Sequence, residues 1–271
     1  MKQILAYFIM ALFISGCPQQ ATHVSETPPP SLPATTVPEN STNPQQALVI
    51  GNSDYEYSPL THPVNDAKQM ANRLKQMGFH VTLKTNLKLQ AMTTAIQKFS
   101  QRLSDNQTEK SVGLFYYSGH GAQKNEQNFL LPINNDNISA ETDFKQNAIP
   151  AKSVVAKMAN AHNGMNIIIL DACYEEPYRN NSNNNTQGLA RIAPPRGTLI
   201  AFSAEEGQTV SKMKTSLYTK TLVKVLEQAE HNRIEDVFME IGEKVKQQSG
   251  GKQVPWYQAS LRKAFCFGGC L

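Results

Sequence analysis

The stretch "NIIILDAC", residues 166–173, places four consecutive large apolar residues directly before Asp171, Ala172 and Cys173. A short apolar run without alternation is typical of a strand that is buried on both faces of a parallel sheet. Ligands bind such sheets beyond the carboxyl ends of the strands, so an acid and a thiol at this position are candidates for chemistry. The thiol also has a simpler interpretation, because a cysteine near a buried strand is more often a small, inert core residue.

The chain around this stretch alternates strand patterns with helix patterns. Apolar runs predict strands at 47–51, 79–83, 112–117, 166–170, 198–202 and 258–265, with a small hairpin beginning at 128–133. Apolar residues at helical spacing predict helices at 65–77, 88–104, 151–161, 216–229 and 234–247. Alternating βα units predict an α/β fold, with a mostly parallel sheet of about six strands and helices on both faces.

The composition describes a folded protein without an affinity for nucleic acid. The 271 residues suffice for one or two domains, and 40% apolar residues can build a sizeable core. The net charge of +4 comes from 26 basic and 22 acidic residues without a basic block, which does not indicate a nucleic-acid partner. The 4 cysteines are too few for a disulfide framework, although Cys266 and Cys270 could pair across a Gly-Gly turn in an oxidising compartment.

The first residues have the pattern of an export signal. Lys2 precedes an apolar run, Ile4–Ile14, that is too short to span a bilayer, and small residues follow in "ISGC" at 14–17. This ending resembles the lipobox of bacterial lipoproteins, which implies cleavage of the signal peptide 1–16 and lipidation of Cys17. Pro18 after the cysteine implies the outer membrane, with the folded domain in the periplasm or at the cell surface. An uncleaved anchor and an ordinary signal peptide are the alternatives.

Residues 17–46 are predicted to be an extended tether. Between positions 18 and 46 there are seven prolines, many Thr, Ser, Asn and Gln, and almost no large apolar residues. Such a segment cannot bury enough surface to offset its ordering entropy. The folded domain is therefore predicted to span 47–271.

A histidine stands at a position equivalent to that of Cys173. His120 lies in "YYSGHG", 116–121, directly after the predicted strand at 112–117. If these strands are neighbours, the imidazole can lower the pKa of the thiol and later protonate a leaving amine, which is the minimal set for acyl transfer. The backbone N–H groups of Gly121 and Cys173 are candidate donors to an oxyanion. A structural role is the alternative for the histidine as well.

Six stretches resemble successive blocks of the caspase-like cysteine peptidases, on the metacaspase and bacterial caspase-homologue side. They are "ALVIGNSDY", "HPVNDAKQMANRLKQMGFHV", "GLFYYSGHGAQ", "NIIILDACYEEP", "GTLIAFSAEEGQTVS" and "SLYTKTLVKVL". The "SGHG" and "DAC" motifs are the specific elements. The resemblance implies the caspase-hemoglobinase fold and a cysteine endopeptidase without a cofactor. It also implies that His120 is the acid/base and Cys173 the nucleophile.

The resemblance also implies which side chain the enzyme binds before the scissile bond. Where caspases that cleave after aspartate have a pocket arginine and a glutamine, this chain has Leu60 and Asp171. Metacaspases select Arg or Lys with residues that match Asp66, Ser118 and Asp171. Two carboxylates in a partly dry pocket are costly until a cation neutralises them. The alternatives are a helix N-terminal role for Asp66 and a structural acceptor role for Asp171.

Two further expectations concern activation. No cluster of aspartates stands out that would hold calcium, so no metal is predicted. The low-complexity stretch "RNNSNNNTQ", 179–187, follows the nucleophile, and Arg179, Arg191 and Arg196 lie in or near it. Self-cleavage at this loop is a hypothesis, with an exposed spacer as the alternative.

Two other functions remain open. The fold could serve a non-catalytic caspase-like binding module, since folds host many functions. The dyad could also belong to a cysteine hydrolase of non-peptide amides, in which the two aspartates would have no evident role. Glu175 and Glu176 have no assigned function.

Overall fold

A computed structural model describes residues 44–138, 140–174, 188–205, 216–229 and 231–270. Cys17, the predicted signal peptide and most of the predicted tether lie outside these residues. Arg179, Glu175, Glu176 and the low-complexity loop lie outside them as well.

The described residues form eight strands and six α-helices. The strands are β1 (Gln45–Gly51), β2 (His80–Thr85), β3 (Val112–Lys124), β4 (Gln127–Leu130), β5 (Ile149–Pro150), β6 (Met165–Tyr174), β7 (Thr198–Phe202) and β8 (Trp256–Ser260). The helices are α1 (Pro63–Gln76), α2 (Leu89–Asp105), α3 (Phe144–Asn147), α4 (Ala151–Asn160), α5 (Leu217–Gln228) and α6 (Ile234–Gln248), with a 3-10 turn at Glu141–Asp143.

Six of the strands form the central sheet in the order β2-β1-β3-β6-β7-β8. The first five are parallel, and β8 runs antiparallel to β7. Strand β4 pairs with the end of β3 as a hairpin, and β5 pairs with β4. The predicted mostly parallel α/β sheet of about six strands is confirmed.

Helices cover both faces of the sheet because the strands alternate their side chains between two apolar layers. Ala47 and Val49 of β1 share one core with buried residues of α1, α5 and α6. Leu48 and Ile50 share the other with α2 and α4. A period of two in a strand produces this division, and apolar residues at every position allow both faces to be buried.

The first strand begins two residues before the predicted start of the domain at 47. Gln45 and Gln46 pair with Val112 and Gly113 of β3, and backbone pairing does not require apolar side chains. Gln46 is buried, and its side-chain oxygen contacts Nδ1 of His80 at 2.9 Å. This contact satisfies the buried amide in a position that composition assigned to the tether.

The last strand differs from its prediction. It spans Trp256–Ser260 instead of 258–265, and its Trp256 ring stacks on Phe202 of β7 at a centroid distance of 4.3 Å. Residues 261–265 are apolar enough to resemble a strand. However, Ser260 already pairs with Thr198, the first residue of β7, so the residues after Ser260 have no residue of β7 to pair with.

Candidate active site

Strands β3 and β6 run further than the strands beside them. The last residue of β1, Gly51, pairs with Ser118, and the last residue of β7, Phe202, pairs with Leu170. Beyond these points β3 and β6 continue as partners of each other. The prediction that His120 follows its strand was therefore wrong in detail, because β3 includes the whole "SGHG" motif.

His120 and Cys173 are register partners on these two strands. Adjacent strands lie about 4.8 Å apart, and register partners of a parallel pair lie on the same face of the sheet. The structure thus places the backbones of the two predicted catalytic residues opposite each other on neighbouring strands. Gly121 is the next residue, opposite Tyr174, and an added Cβ on it would lie 2.9 Å from the Cβ of Ala172. Its role as an oxyanion donor stays a prediction.

The His120 side chain is buried and held in one orientation. It is 2% exposed, and its Nε2 contacts the carbonyl oxygen of Ser58 at 2.6 Å. A carbonyl only accepts hydrogen bonds, so Nε2 carries a proton, and Nδ1 is the acceptor of the neutral ring. Ser58 has a φ of 57°, which few residues other than glycine adopt.

Two tyrosines fix the backbone at the histidine. The His120 N–H donates to the Tyr55 hydroxyl at 2.7 Å, and the two rings lie 4.3 Å apart between centroids. The Tyr117 hydroxyl donates to the carbonyl of His120 at 2.7 Å and contacts the Tyr55 hydroxyl at 3.0 Å. A Cβ on Gly119 would lie only 2.3 Å from the Tyr55 oxygen, so glycine is required there for steric reasons.

Two residues before the histidine, Ser118 is the register partner of Asp171. Both are buried. The carboxylate of Asp171 accepts hydrogen bonds at Oδ2 from the hydroxyl of Ser216 and, at 2.7 Å, from that of Thr219. Ser216 is the N-cap of α5 and accepts the Thr219 N–H at 3.1 Å. The structural acceptor role considered for Asp171 is therefore real, and it fixes the orientation of this carboxylate.

The Thr219 hydroxyl connects Asp171 of β6 to Tyr116 of β3. Its oxygen lies 2.5 Å from the Tyr116 hydroxyl. Because Thr219 has one hydroxyl proton and gives it to Asp171, the tyrosine donates to Thr219. Burial, followed by the charge of Asp171, raises the pKa of Tyr116 well above its ordinary value. The tyrosine thus stays protonated and remains a donor.

Asp66 brings a second carboxyl group from the first turn of α1. It is 1% exposed, and neither of its oxygens has a hydrogen-bond partner within the described residues. Burial and, second, the charge of Asp171 raise its pKa to about 8. Asp66 does not cap the helix, because the serine hydroxyl of Ser53 accepts the N–H of Val64 at 3.1 Å. The helix-terminal alternative for Asp66 does not explain its position.

His62 is the residue before α1, and sequence reasoning did not single it out. Its Nε2 lies 4.0 Å from Oδ2 of Asp66. Burial is the largest influence on the pKa of His62 and lowers it; the charge of Asp171 raises it, and His120 lowers it. A histidine before Pro63 carries no sequence signal for a pocket. Ser216 had a sequence signal of another kind, since a serine at the start of a helix pattern predicts an N-cap.

The remaining predicted residues make none of the contacts described above. Cys266 and Cys270 form a disulfide bond. Arg191 and Arg196 are exposed. Within the described ranges, no group of three or more His, Cys, Asp or Glu side chains could hold a metal ion. No helix among the described residues has the length and apolar character needed to cross a membrane.

Two curated proteins are similar in sequence to about half of this chain. The human mucosa-associated lymphoid tissue lymphoma translocation protein 1 is 30% identical over 129 residues, which cover 47% of this chain and 15% of that protein. Its mouse homolog is 30% identical over 129 residues, covering 47% of this chain and 14% of the homolog. The match thus spans about a seventh of the length of these curated relatives.

A solved structure has a similar fold. The crystal structure of the Drosophila initiator caspase Dronc superimposes with a TM-score of 0.60 and 13% sequence identity, covering 84% of each chain. The caspase domain family model matches residues 45–266, which include every element described above. The chain therefore belongs to the caspase domain family.

Proposed function

We propose that this chain is an endopeptidase that uses a His120/Cys173 dyad and cleaves after Arg or Lys. The observation that carries the proposal is the pair of register contacts, His120 with Cys173 and Ser118 with Asp171, on the two longest central strands. The first pair supplies a base beside a thiol. The second pair has an acid two residues before Cys173 in the same strand, which supports our assignment of Asp171 to the binding of the residue before the scissile bond.

Acylation begins with proton transfer from the Cys173 thiol to Nδ1 of His120. The thiolate attacks the scissile carbonyl carbon, the C–S bond forms, and the carbonyl electrons move to the oxygen. N–H groups of Gly121 and Cys173 donate to this oxyanion. The imidazolium then protonates the leaving nitrogen, the C–N bond breaks, and a thioester remains.

Deacylation reverses the role of the histidine. A water gives one proton to Nδ1 and its oxygen attacks the thioester carbon. The C–S bond then breaks, and the proton on Nδ1 passes to the leaving sulfur, which releases the acid and restores the thiol. The contact from Nε2 to Ser58 keeps Nδ1 as the accepting nitrogen in both steps, because it fixes one tautomer and one ring orientation. Metal ions and cofactors have no step in this scheme.

The acidic pocket supports the preference for basic residues. Asp66 and Asp171 are both buried, and burial, followed by the charge of Asp171, raises the pKa of Asp66. A guanidinium or ammonium group would neutralise them and would satisfy the oxygens of Asp66 that no described residue contacts. An acidic side chain in the same place would add a negative charge beside that of Asp171, which is strongly unfavourable in a buried site.

Turnover of peptide reporters tests the proposal. Three matched tetrapeptide reporters ending in Arg, Lys or Asp would be incubated with the reduced protein, with and without calcium. We expect cleavage of the Arg and Lys reporters alone, and none with Cys173→Ala or His120→Ala variants of unchanged melting temperature. Cleavage after Asp would overturn the pocket assignment, and no cleavage of any reporter would favour the non-catalytic binding module.

We also propose that the chain is an exported lipoprotein attached through Cys17. The support is the sequence pattern at 2–17. Labelled palmitate fed to expressing Gram-negative bacteria should enter the wild-type protein and leave the Cys17→Ser variant unlabelled. After separation of the membranes, the wild-type protein should be found in the outer-membrane fraction. Equal recovery of both forms without label would contradict the proposal.

A further inference from the structure

His62 is a buried histidine without the usual reasons for burial. Its side chain makes no capping hydrogen bond to α1, and its Nδ1 has no partner within the described residues. Its Nε2 faces Asp66 Oδ2 at 4.0 Å, one helical turn further along. Buried polar groups normally have hydrogen-bond partners. An imidazole that lacks one at Nδ1 and is influenced by Asp171 and His120 therefore suggests a role other than packing.

Charged and titratable groups surround His62 and the two pocket carboxyl groups from several elements. They are Asp66 on α1, Asp171 on β6, Tyr116 and His120 on β3, and Tyr218 on α5. Burial, followed by Asp171, raises the pKa of both tyrosines well above the ordinary value, so they carry no charge. The charge of the empty pocket therefore depends on the two aspartates and the two histidines.

We propose that His62 is a specificity-determining residue whose protonated imidazole pairs with Asp66 and competes with the basic side chain of the substrate. The inference rests on the proposed preference for Arg or Lys and adds a pH limit to it. Neutral His62 leaves the carboxyl group of Asp66 to the substrate. Protonated His62 places a cation at salt-bridge distance from the group that the substrate would bind.

Two titrations then control binding, and they occur in different pH ranges. Asp66, with a pKa of about 8, must lose its proton when a guanidinium enters, so KM rises as the pH falls through this value. His62 becomes a cation only below the ordinary histidine range, because burial lowers its pKa. The second increase in KM, at acid pH, is the one assigned to His62, and a His62 substitution should remove it.

Kinetics of a reporter ending in Arg, measured from pH 5 to 9, separate the two. At pH 5 we expect the KM of His62→Gln to be about tenfold lower than that of wild type, which is the effect of one pKa unit. At pH 8 the two values should agree, and the pH profile of kcat should be the same. His80→Gln is the matched control, because His80 also has a pKa lowered by burial but lies at the start of β2.

A binding measurement repeats the test without catalysis. The dissociation constant of benzamidine would be measured for Cys173→Ala and for the double variant Cys173→Ala/His62→Gln, and the two values should differ at pH 5 and agree at pH 8. His62→Asn provides the same test if His62→Gln lowers the melting temperature. A KM ratio that is constant from pH 5 to 9 would overturn the inference and leave a merely structural His62. Absence of Arg and Lys turnover in wild type at every pH would instead refute the proposed function.

Discussion

Asp66 and Asp171 belong to different elements, yet the charge of Asp171 adds to burial in raising the pKa of Asp66 to about 8. Their surroundings differ. Asp171 accepts hydrogen bonds from two hydroxyl groups, those of Ser216 and Thr219 at the start of α5, whereas no described residue donates to Asp66. Different environments divide the roles of paired carboxyl groups. The proposed pocket thus has one acid that is fixed by hydrogen bonds and one without a described donor, whose protonation would respond to an entering charge.

Asp66→Asn should make the folded protein more stable at neutral and alkaline pH. A carboxyl group whose pKa rises on folding, here from 3.8 to about 8, stabilises the fold below pH 3.8, and this contribution is lost as the pH rises to 8. Asparagine does not titrate, so the stability of the variant does not fall with pH through this group. Its advantage in free energy of unfolding, followed through melting curves, should grow from pH 4.5 to 8.5 and reach on the order of a few kcal/mol. Parallel melting curves at all pH values would contradict the assignment.

Thr219→Val should weaken binding of basic substrates while leaving the chemical step intact. The valine removes the hydroxyl that donates to Asp171 and leaves the Tyr116 hydroxyl without its acceptor. A hydrogen bond to a charged group is worth about 1.5–3 kcal/mol, so KM for the Arg reporter should rise about tenfold or more. Thr221→Val, a buried threonine of the same helix, is the control and should leave KM unchanged. Equal changes in both variants would count against a role for Thr219 in the pocket.

Tyr55→Phe should lower kcat without changing KM. The hydroxyl accepts the N–H of His120, and its loss leaves a buried donor unsatisfied beside the imidazole. We expect about tenfold lower kcat and a loss of about 1–3 kcal/mol in stability. Steady-state kinetics and denaturant melts measure both. Tyr257→Phe on β8 is the control, and a KM effect as large as the kcat effect would argue against positioning of His120.

Self-cleavage should occur between Arg179 and Arg196 if the enzyme accepts basic residues. Arg191 and Arg196 are exposed, whereas Arg179 lies outside the described residues. Intact-mass spectrometry of wild type after expression should give fragments that end in one of these arginines, and Cys173→Ala should stay whole. No fragment should arise between 18 and 46, which contains neither Lys nor Arg. A wild-type chain that stays intact with active enzyme would end this hypothesis.

Local sequence patterns predicted the elements well where one period dominated. The strand at 198–202 and five of the six described α-helices follow from apolar runs and helical spacing, whereas the one-turn helix α3 was not predicted. The polar half of β3 was not predicted from the sequence, because Ser118, His120 and the glycines carry no strand signal. That half is a strand because β6 and the β4 hairpin pair with it, and β6 is distant in sequence.

The sequence by itself determined the fold class, the family and the identity of the candidate dyad. Buried strands and motif spacing are local properties, and each residue type brings its own chemistry. Only the tertiary structure decided the register of His120 with Cys173, the bonds from α5 to Asp171 and the place of His62 beside Asp66. It also decided the pKa of Asp66, because burial and the field of a charge depend on groups that only folding brings together.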